Sequence, residues 1–276
     1  MTTTSVSRPV PTDELTVRTK ATWMAGDFGK IAKSYEVGAS EFIARLNFRP
    51  GERVLDVACG TGNLTIPAAR SGAKVTGIDI APNLVEQAQA WAHNEGLAIR
   101  FEEGNVEQMP YSDGSFDAVV SMFGAMFAPR PEATATELMR VCRSGGRVVM
   151  ANWTPDGFIG QMFKIMAKHV PPAPGISSPI QWGNTATVKE RLGQRCAEVD
   201  CRQRIITFNF PFSTAATVEY FRTYYGPTLR AFATLNAEAQ KSLRCDLEQL
   251  WTQHNDGHNG VTQVDSTYLE VIAIRK

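Results

Sequence analysis

A short apolar stretch that runs into a glycine-bearing turn constrains this chain more than any other feature. Residues 53–58 read RVLDVA, the turn at 59–62 reads CGTG, and a helical pattern follows at 63–71. A short apolar run bounded by turn signals is typical of a buried strand. Glycines at such a turn allow positive φ and a close approach of the backbone to a ligand, and the free N–H groups at a helix start favour a polar or anionic group. The segment therefore predicts a strand, turn and helix that bind a nucleotide.

Strand and helix patterns continue to alternate as far as residue 153. In chain order they are a strand at 74–80, a helix at 82–93, strands at 99–102 and 115–122, a helix at 131–142 and a strand at 147–153. Such alternation implies parallel strands joined by right-handed crossovers, with helices on both faces of the sheet. The strand interiors are nearly continuous apolar runs, which is typical of a sheet covered on both faces.

The two ends of the chain are less regular. Residues 1–20 are polar, and we expect them to be flexible. Residues 23–46 have helical spacing, and Gly38 is where we expect a break into two helices. Beyond residue 153 the patterns are helices at 158–169, 187–196, 214–232 and 236–253, and strands at 204–212 and 263–275. Two strands therefore complete the sheet, and helical segments are inserted before and between them.

Composition narrows the class of protein. The 276 residues carry 28 basic and 28 acidic side chains, so the formal net charge is zero, and nothing electrostatic favours nucleic acid as a partner. The five cysteines show no Cys-x-x-Cys spacing, which argues against a disulfide framework and against zinc. No stretch approaches the ~20 apolar residues of a membrane helix, and the polar N-terminus does not resemble a secretory signal. We expect a cytoplasmic protein that does not insert into the membrane.

Asp79 ends the second predicted strand and supports a nucleoside site. An acidic side chain at this place can accept hydrogen bonds from both ribose hydroxyls. The alternative role is a helix N-cap, because Pro82 opens a helix soon after. A nicotinamide-dependent dehydrogenase would favour G-x-G-x-x-G, whereas the string from Gly60 reads GTGNLT and lacks the third glycine. A nicotinamide-dependent oxidoreductase therefore stays as an alternative function.

Four segments in an unbroken order carry a family resemblance. They read VLDVACGTGN, GIDIAPNLVEQA, FEEGNVEQMPYSDGSFDAVVSMFGAMF and ELMRVCRSGGRVVMANW, and span about residues 50–153. Together they resemble class I S-adenosylmethionine-dependent methyltransferases, in the small-molecule branch related to the ubiquinone and menaquinone C-methyltransferases (methyltransferase type 11). The resemblance implies an α/β, Rossmann-like seven-stranded mixed sheet with helices on both faces, an antiparallel last strand and an inserted helical lid. It also implies S-adenosyl-L-methionine as cofactor and S-adenosyl-L-homocysteine as product.

The same resemblance implies which residues contact the cofactor. They are Trp23, Phe28, Asp56, Ala58, Gly60, Thr61, Gly62, Asp79, Ile80, Asn105, Val106, Ser121 and Met122. Asp56 would reach the methionine amino group and Asp79 the ribose, while Ile80 would pack on adenine. Many members have Gly where Ala58 stands and Asp where Asn105 stands, but the Asn105 carbonyl still offers an acceptor for the adenine amine.

Trp23 and Phe28 belong to a segment, WMAGDFGKIAKSYE, that resembles a helix folded over the bound cofactor in this branch. The alternative is ordinary helix packing, because aromatic stripes usually belong to a core.

Methyl transfer from a sulfonium is an in-line displacement in which the cofactor carries the hard chemistry and the protein supplies alignment. A general base is needed only when the acceptor must lose a proton. The candidates are His169, Tyr224, His254 and His258. His254 and His258 have the spacing of a metal-binding pair, but no third ligand is evident, so we expect no metal.

The chain divides by these expectations into three regions. Residues 1–46 form a tail and cofactor-covering helices, residues 47–154 the cofactor-binding core, and residues 155–276 the rest of the sheet with the lid. Aromatic stretches at about 155–185 and 213–258 predict a lid over a small, apolar or aromatic acceptor, although these side chains also suit the lid's own core. A non-catalytic S-adenosylmethionine-binding protein is a further alternative, while neutral charge and the aromatic lid disfavour an RNA or protein acceptor. The acceptor atom and the oligomeric state stay open.

Overall fold

In the part of the chain that the structure describes, seven strands form a single mixed sheet in the order β3-β2-β1-β4-β5-β7-β6. The computed structural model describes residues 12–172 and 176–276. The strands are β1 (Arg53–Val57), β2 (Lys74–Asp79), β3 (Arg100–Glu103), β4 (Phe116–Met122), β5 (Cys142–Trp153), β6 (Cys196–Phe210) and β7 (Thr262–Arg275). The first five strands are parallel, and β7 lies antiparallel between β5 and β6. This arrangement confirms the predicted mixed sheet with an antiparallel last strand.

Helices connect these strands and form the predicted insertions. The α-helices are α1 (Thr12–Met24), α2 (Phe28–Lys33), α3 (Glu36–Leu46), α4 (Thr65–Arg70), α5 (Pro82–Asn94), α6 (Pro131–Val141), α7 (Phe158–His169), α8 (Thr185–Leu192), α9 (Thr214–Tyr224), α10 (Gly226–Ala233) and α11 (Ala237–Gln253). Short 3-10 helices lie at Ala125–Phe127, Pro179–Gly183 and Gly193–Arg195. Helices α7 and α8 lie between β5 and β6, and α9 to α11 lie between β6 and β7. Among the helices of the described ranges, none combines the length and apolar character needed to cross a bilayer.

The central strands are covered on both faces, as their apolar sequences predict. All four residues from Val54 to Val57 are buried, and β4 is buried at every position except Asp117. Parallel strands of this kind bury both rows of side chains under helices. The order of the strands reverses between β1 and β4, and in open α/β sheets the crevice beyond the carboxyl ends at this point is the usual ligand site.

The N-terminal region departs from the sequence prediction. Residues 12–20, which we expected to be flexible, belong to α1; residues 1–11 lie outside the described residues. The helical stretch is broken after Met24 and after Lys33 rather than at Gly38. A Cβ atom on Gly38 would lie 2.5 Å from Cγ1 of Ile206. Glycine is therefore needed there for the close approach of α3 to β6, and it does not break the helix.

Three elements of the second half also differ from their predicted bounds. The strand expected at 204–212 begins at Cys196. Its first half was not predicted, because the charged residues of this exposed edge strand hide the alternation that marks a half-buried strand. The helix expected at 187–196 accordingly ends at Leu192. The single helix expected at 214–232 is divided at Tyr225. Pro227 follows two residues later, and proline has no N–H to continue a helix and clashes with the preceding turn.

Candidate functional site

A partly open cavity, with about 630 Å³ of empty space including its solvent-exposed mouth, lies beyond the carboxyl ends of β1, β2 and β4. Its floor is formed by the residues that follow these strands, and α1 covers it from above. The lining residues are Thr16, Thr19, Trp23, Phe28, Ala58, Gly60, Asp79, Ile80, Leu84, Asn105, Val106, Glu107, Met122, Phe123, Gly124, Phe127, Ala128 and Pro129. Most of these side chains are apolar, and Asp79 and Glu107 are the acidic ones. The cavity thus combines apolar walls with two carboxylates at the strand ends.

A second, smaller cavity, with about 320 Å³ of empty space including its solvent-exposed part, adjoins the first. It is lined by Phe28, Ala32, Tyr35, Asp56, Ala58, Cys59, Thr61, Asn63, Leu64 and Met122. Three residues, Phe28, Ala58 and Met122, line both spaces. The two cavities therefore meet at these three side chains, with Asp79 in the larger cavity and Asp56 in the smaller one.

Asp79 ties the turn after β1 to the turn after β2. Its Oδ2 atom accepts the backbone N–H of Gly60 at 2.8 Å, and its Oδ1 atom accepts the N–H of Ala81 at 2.9 Å. Burial raises the pKa of this carboxyl, while the N–H groups of Ala81 and Gly60 work against that rise. Each carboxylate oxygen keeps a further lone pair. The alternative N-cap role does not hold, because an N-cap side chain accepts from the second or third residue of the helix and Ala81 precedes α5.

Asp56 is a buried carboxylate on the wall of the smaller cavity. Its side chain is 2% exposed, and the hydroxyl of Thr65 donates a hydrogen bond to Oδ2 at 2.5 Å. Burial raises the pKa of Asp56 to about 7, against the opposing effect of the Thr65 hydrogen bond and with an added contribution from the charge of Asp79. No basic side chain of the described residues forms an ion pair with it. A carboxylate in this position suits a ligand that brings its own cation.

Two non-glycine residues adopt left-handed backbone conformations at the junction of the cavities. Ala58 after β1 has a φ of +56°, and Phe123 after β4 has a φ of +55°. The loops that follow β1 and β4 are in contact at these residues: a Cβ atom on Gly124 would lie only 2.6 Å from Cβ of Ala58. The Phe123 ring stacks on Trp153 at a centroid distance of 3.4 Å. Strained residues of this kind persist where the surroundings fix them, and they cluster at functional sites.

All but two of the residues predicted to contact the cofactor line one of the two cavities. Gly62 does not: its φ is +96°, and a Cβ atom there would meet Cγ1 of Ile66 at 3.3 Å and Cβ of Ala88 at 3.6 Å, so this glycine lets the turn lie close to α4 and α5. Ser121 is also set back from the cavities. Its hydroxyl donates to the Val57 carbonyl at 2.7 Å and accepts from the Ala125 N–H at 2.9 Å, which joins β4 to β1.

The four candidates for a general base lie away from both cavities. His169 Nε2 is 2.7 Å from Asp246 Oδ2, where α7 meets α11. The His254 ring packs 5.5 Å from the Phe158 ring, and His258 is exposed in the loop before β7. Tyr224 carries the Lys30 ammonium 4.1 Å above its ring. The structure therefore brings none of the four to the place where the cavities meet.

Several lining residues were missed by the sequence reasoning. Thr16 and Thr19 belong to the helix that was expected to be flexible, and with Trp23 they form one face at helical spacing. That spacing was the available signal. Trp23 makes edge-on contacts with Phe28, Phe127 and Tyr225 at centroid distances of 5.6, 5.1 and 6.0 Å. These rings close the larger cavity on the side of α1.

The sheet topology also bears on the nicotinamide alternative. A doubly wound dehydrogenase sheet has the strand order 3-2-1-4-5-6 with parallel strands. Here the antiparallel β7 separates β5 from β6. The missing third glycine and the strand order therefore argue in the same direction, against the dehydrogenase fold.

Comparison with known proteins points to one enzyme family. A family described as a methyltransferase domain matches residues 55–150. The chain is 37% identical over 244 residues to the uncharacterised protein Rv1403c of Mycobacterium tuberculosis, covering 83% of this chain and 89% of that protein. It is 40% identical over 128 residues to the demethylmenaquinone methyltransferase of Deinococcus radiodurans, covering 45% of this chain and 53% of that protein.

A solved structure shares the fold over nearly its whole length. The YcgJ protein of Bacillus subtilis superposes with a TM-score of 0.57 at 17% identity, covering 87% of this chain and 98% of that one. At this identity the likeness concerns the fold, and the relatives and the matched domain carry the assignment. The chain belongs to the class I S-adenosylmethionine-dependent methyltransferases.

Proposed function

We propose that this protein transfers the methyl group of S-adenosyl-L-methionine to a small, apolar or aromatic acceptor by in-line displacement. The observation that carries the proposal is the pair of adjoining cavities, each lined by a buried aspartate, Asp79 in one and Asp56 in the other. A nucleoside in the larger cavity and an amino-acid group in the smaller one would place the sulfur at the junction. There it would lie beside Phe28, Ala58 and Met122.

The larger cavity suits adenosine. Ile80, Leu84 and Val106 offer apolar surface for the flat base, and Asn105 lines the same space. The second lone pairs of the Asp79 carboxylate can accept the ribose hydroxyls. Because Asp79 also holds Gly60 and Ala81, it is fixed in place before a ligand arrives.

The smaller cavity suits the amino group of the methionine part. The Asp56 carboxylate has no cation of its own among the described residues, and it lies in a buried setting where an ammonium ligand would be strongly attracted. Thr65 fixes one of its oxygens by a hydrogen bond. The preference of Asp56 for a cation is the second point at which the residues fit this cofactor.

The bound cofactor supplies a methyl group already activated by the positive sulfur. The chain's own residues then have to align the reacting atoms and keep water out. Trp23, Phe28 and Phe127 form an aromatic cover over the larger cavity, and Phe28 also lines the junction. No histidine, lysine or arginine occurs among the described residues that line the two cavities. We therefore propose that catalysis rests on proximity and orientation, with an acceptor that has already lost its proton to solvent and attacks the methyl group as its anion while the sulfur leaves as a neutral thioether.

The acceptor class is proposed from the apolar lining and from one relative. The relative of Deinococcus radiodurans is named a demethylmenaquinone methyltransferase, and a quinone-like ring would suit apolar walls of this kind. Quinols and phenols are therefore the first acceptors to test, ahead of amines and thiols.

Calorimetric titration with S-adenosyl-L-homocysteine tests cofactor binding, with NADH as the comparison ligand. We expect binding of the first and none of the second, and the reverse would overturn the proposal. Methyl-labelled S-adenosyl-L-methionine is then offered with quinols, phenols, amines and thiols. A matched pair of variants, Asp79→Ala in the larger cavity and His169→Ala outside it, should lose and keep transfer, respectively. Tight binding without transfer to any acceptor would favour a non-catalytic binding protein instead.

A further inference from the structure

The outer side of β6 is a free sheet edge with its own hydrogen-bonding groups. Asn209 of β6 lies opposite Gln263 of β7. The Gln263 N–H donates to Asn255 at 2.8 Å and its carbonyl accepts from Asp256 at 2.9 Å, so both groups point away from β6. Asn209 likewise points outward and donates its N–H to the Ser34 carbonyl at 3.0 Å.

This direction alternates along an antiparallel strand. Residues 199, 201, 203 and 205 therefore present their backbone N–H and C=O groups to the free side, as Asn209 does. Apart from Asn209, the odd-numbered residues from Val199 onward have no backbone hydrogen bond to another loop or helix among the described residues. This row of groups is a ready template for another strand.

The charges along this edge are arranged symmetrically about Cys201. Glu198 and Asp200 precede it, and Arg202 and Arg204 follow it at the same distances. The four charged residues are even-numbered, so their side chains share one face of the sheet. A strand with acidic residues on one side of a midpoint and basic residues on the other is complementary to itself when it runs antiparallel.

We propose that β6 is the surface through which a second copy of this chain binds, edge to edge and antiparallel, with the two-fold axis at Cys201. Asp200 then lies opposite Arg202 of the second copy, and Glu198 lies opposite Arg204. Both pairs are of the non-hydrogen-bonded kind, in which facing side chains come closest. The contact is isologous, which is the commonest geometry of a homodimer.

The charges also select this register over its neighbours. A shift that moves the axis to residue 200 or 202 still pairs the outward backbone groups, but it sets Asp200 opposite Asp200, or Arg202 opposite Arg202, of the second copy. Like charges directly opposite one another destabilise a pair of strands. Charged edge residues usually prevent association, whereas this arrangement permits it in one register.

The surroundings of the four charged side chains leave them free to form ion pairs with a second copy. Arg202 and Asp200 pair within the strand at 2.8 Å with side chains 64% and 37% exposed, so they can extend into a four-membered network with a second copy. Arg204 shares the buried Glu270 with Arg45 at 2.6 and 2.8 Å. Two guanidinium groups on one carboxylate leave a positive excess, which would face Glu198 of the second copy.

An exposed apolar side chain supports the same surface. Ile205 is 64% exposed and is one of few large apolar residues so exposed among the described residues. It lies on the opposite face of β6 from the four charges. Pairing about Cys201 would set it beside residue 197 of the second copy and reduce its exposure.

Charge exchange tests the proposal in solution. We expect the full chain to sediment as a dimer. Asp200→Arg and Arg202→Asp each place like charges opposite one another, so each should raise the dimer dissociation constant about tenfold. The double variant inverts the pattern and keeps it self-complementary, so it should restore the dimer. A monomeric wild-type chain, or a dimer that ignores the single changes, would overturn the proposal.

Cys201 supplies a second test of the register. In a hydrogen-bonded antiparallel pair, facing Cα atoms are about 5.5 Å apart, within reach of a disulfide. Cys245 is exposed, so the experiment uses Cys245→Ser as background. Mild oxidation should give a covalent dimer that Cys201→Ala abolishes, and a dimer that never crosslinks would contradict the register. Binding of S-adenosyl-L-homocysteine should be equal in all these variants, which separates this test from that of the proposed function.

Discussion

The carboxylate of Asp79 and the backbone N–H of Gly60 are joined by a hydrogen bond of 2.8 Å, although the two residues follow different strands. The turn after β1 is therefore held in shape by the same side chain that faces the larger cavity. A second bond, from the Ala81 N–H, fixes the other oxygen. Loss of this carboxylate should affect both the turn and any ligand that Asp79 contacts.

Replacement of Asp79 by alanine should weaken S-adenosyl-L-homocysteine binding and also lower stability. It leaves two buried N–H groups without an acceptor, which costs about 2 kcal/mol. Asp79→Asn keeps one acceptor oxygen, so its affinity and its stability should both lie between those of the wild type and those of Asp79→Ala. Calorimetry gives the affinity, and thermal unfolding without ligand gives the stability. Unchanged affinity in the alanine variant would contradict the ribose role of Asp79.

The backbone conformation of Ala58, at the junction of the two cavities, gives a second prediction. Its φ of +56° is a conformation that costs a residue with a Cβ atom about 1 kcal/mol. Ala58→Gly should therefore raise the free energy of unfolding by a fraction of that, since glycine also gains entropy when unfolded. Chemical denaturation measures the change.

The matched variant Gly124→Ala should do the opposite. Its new Cβ atom would lie 2.6 Å from the Ala58 Cβ and 2.7 Å from the Ala58 carbonyl oxygen. Combining it with Ala58→Gly removes the first clash and leaves the second, so rescue should be partial. A Gly124→Ala chain as stable as the wild type would show that the two loops do not press together.

The part of the fold that depends on local pattern was predictable from the sequence. The strand before Ala58 and the glycine turn after it are encoded within a few residues, and the structure has them where expected. The same is true of α7, whose bounds of Phe158–His169 match the prediction. Apolar strands and helix-breaking residues act over short distances, so a single sequence reveals them.

The candidate bases were not predictable, because residue type says little about location. His169 was considered for its chemistry, yet it lies where α7 meets α11 and pairs with Asp246. Nothing near either residue in the sequence indicates that they meet. The role of Gly38 was not predictable for the same reason, because it depends on contact with Ile206, a residue of a strand far away in the sequence. Helix α1 was missed because the cavity-facing side chains Thr16 and Thr19 give no apolar periodicity.

The raised pKa of Asp56 predicts how stability depends on pH. Burial raises this pKa to about 7 from an ordinary value of 3.8, so the folded chain holds the proton more tightly than the unfolded chain. Stability without ligand should therefore decrease as the pH rises from about 4 through 7. Asp56→Asn removes this titration, so the difference between its unfolding temperature and that of the wild type should shift in favour of the variant as the pH rises from 5 to 8.

The affinity for cofactor should depend on pH in the opposite sense. An ammonium group pairs with the ionised carboxylate, and about one tenth of Asp56 is ionised one pH unit below its pKa. About half of the Asp56 carboxyl is ionised at pH 7, so binding of S-adenosyl-L-homocysteine should weaken about fivefold between pH 7 and pH 6, as calorimetry at each pH would show. Asp56→Asn should bind weakly at both values without that slope. A wild-type affinity that does not vary with pH would contradict the contact between Asp56 and the amino group.

The fluorescence of Trp23 can report on ligand binding under the aromatic cover formed by Trp23, Phe28 and Phe127. Its ring contacts Phe28 and Phe127 at centroid distances of 5.6 and 5.1 Å and lines the larger cavity. Bound adenosine should therefore change its fluorescence, and Trp23→Phe should remove that change with little loss of affinity, because one ring replaces another. Trp23→Ala should weaken binding of S-adenosyl-L-homocysteine about tenfold, by loss of apolar contact area.

Trp91 on the outer part of α5 is the matched control, because it packs away from both cavities and donates a hydrogen bond to Glu95. Trp91→Phe should leave both the ligand-induced fluorescence change and the affinity as they are in the wild type. A titration in which Trp91→Phe, and not Trp23→Phe, removes the signal would show that α1 does not cover the bound cofactor.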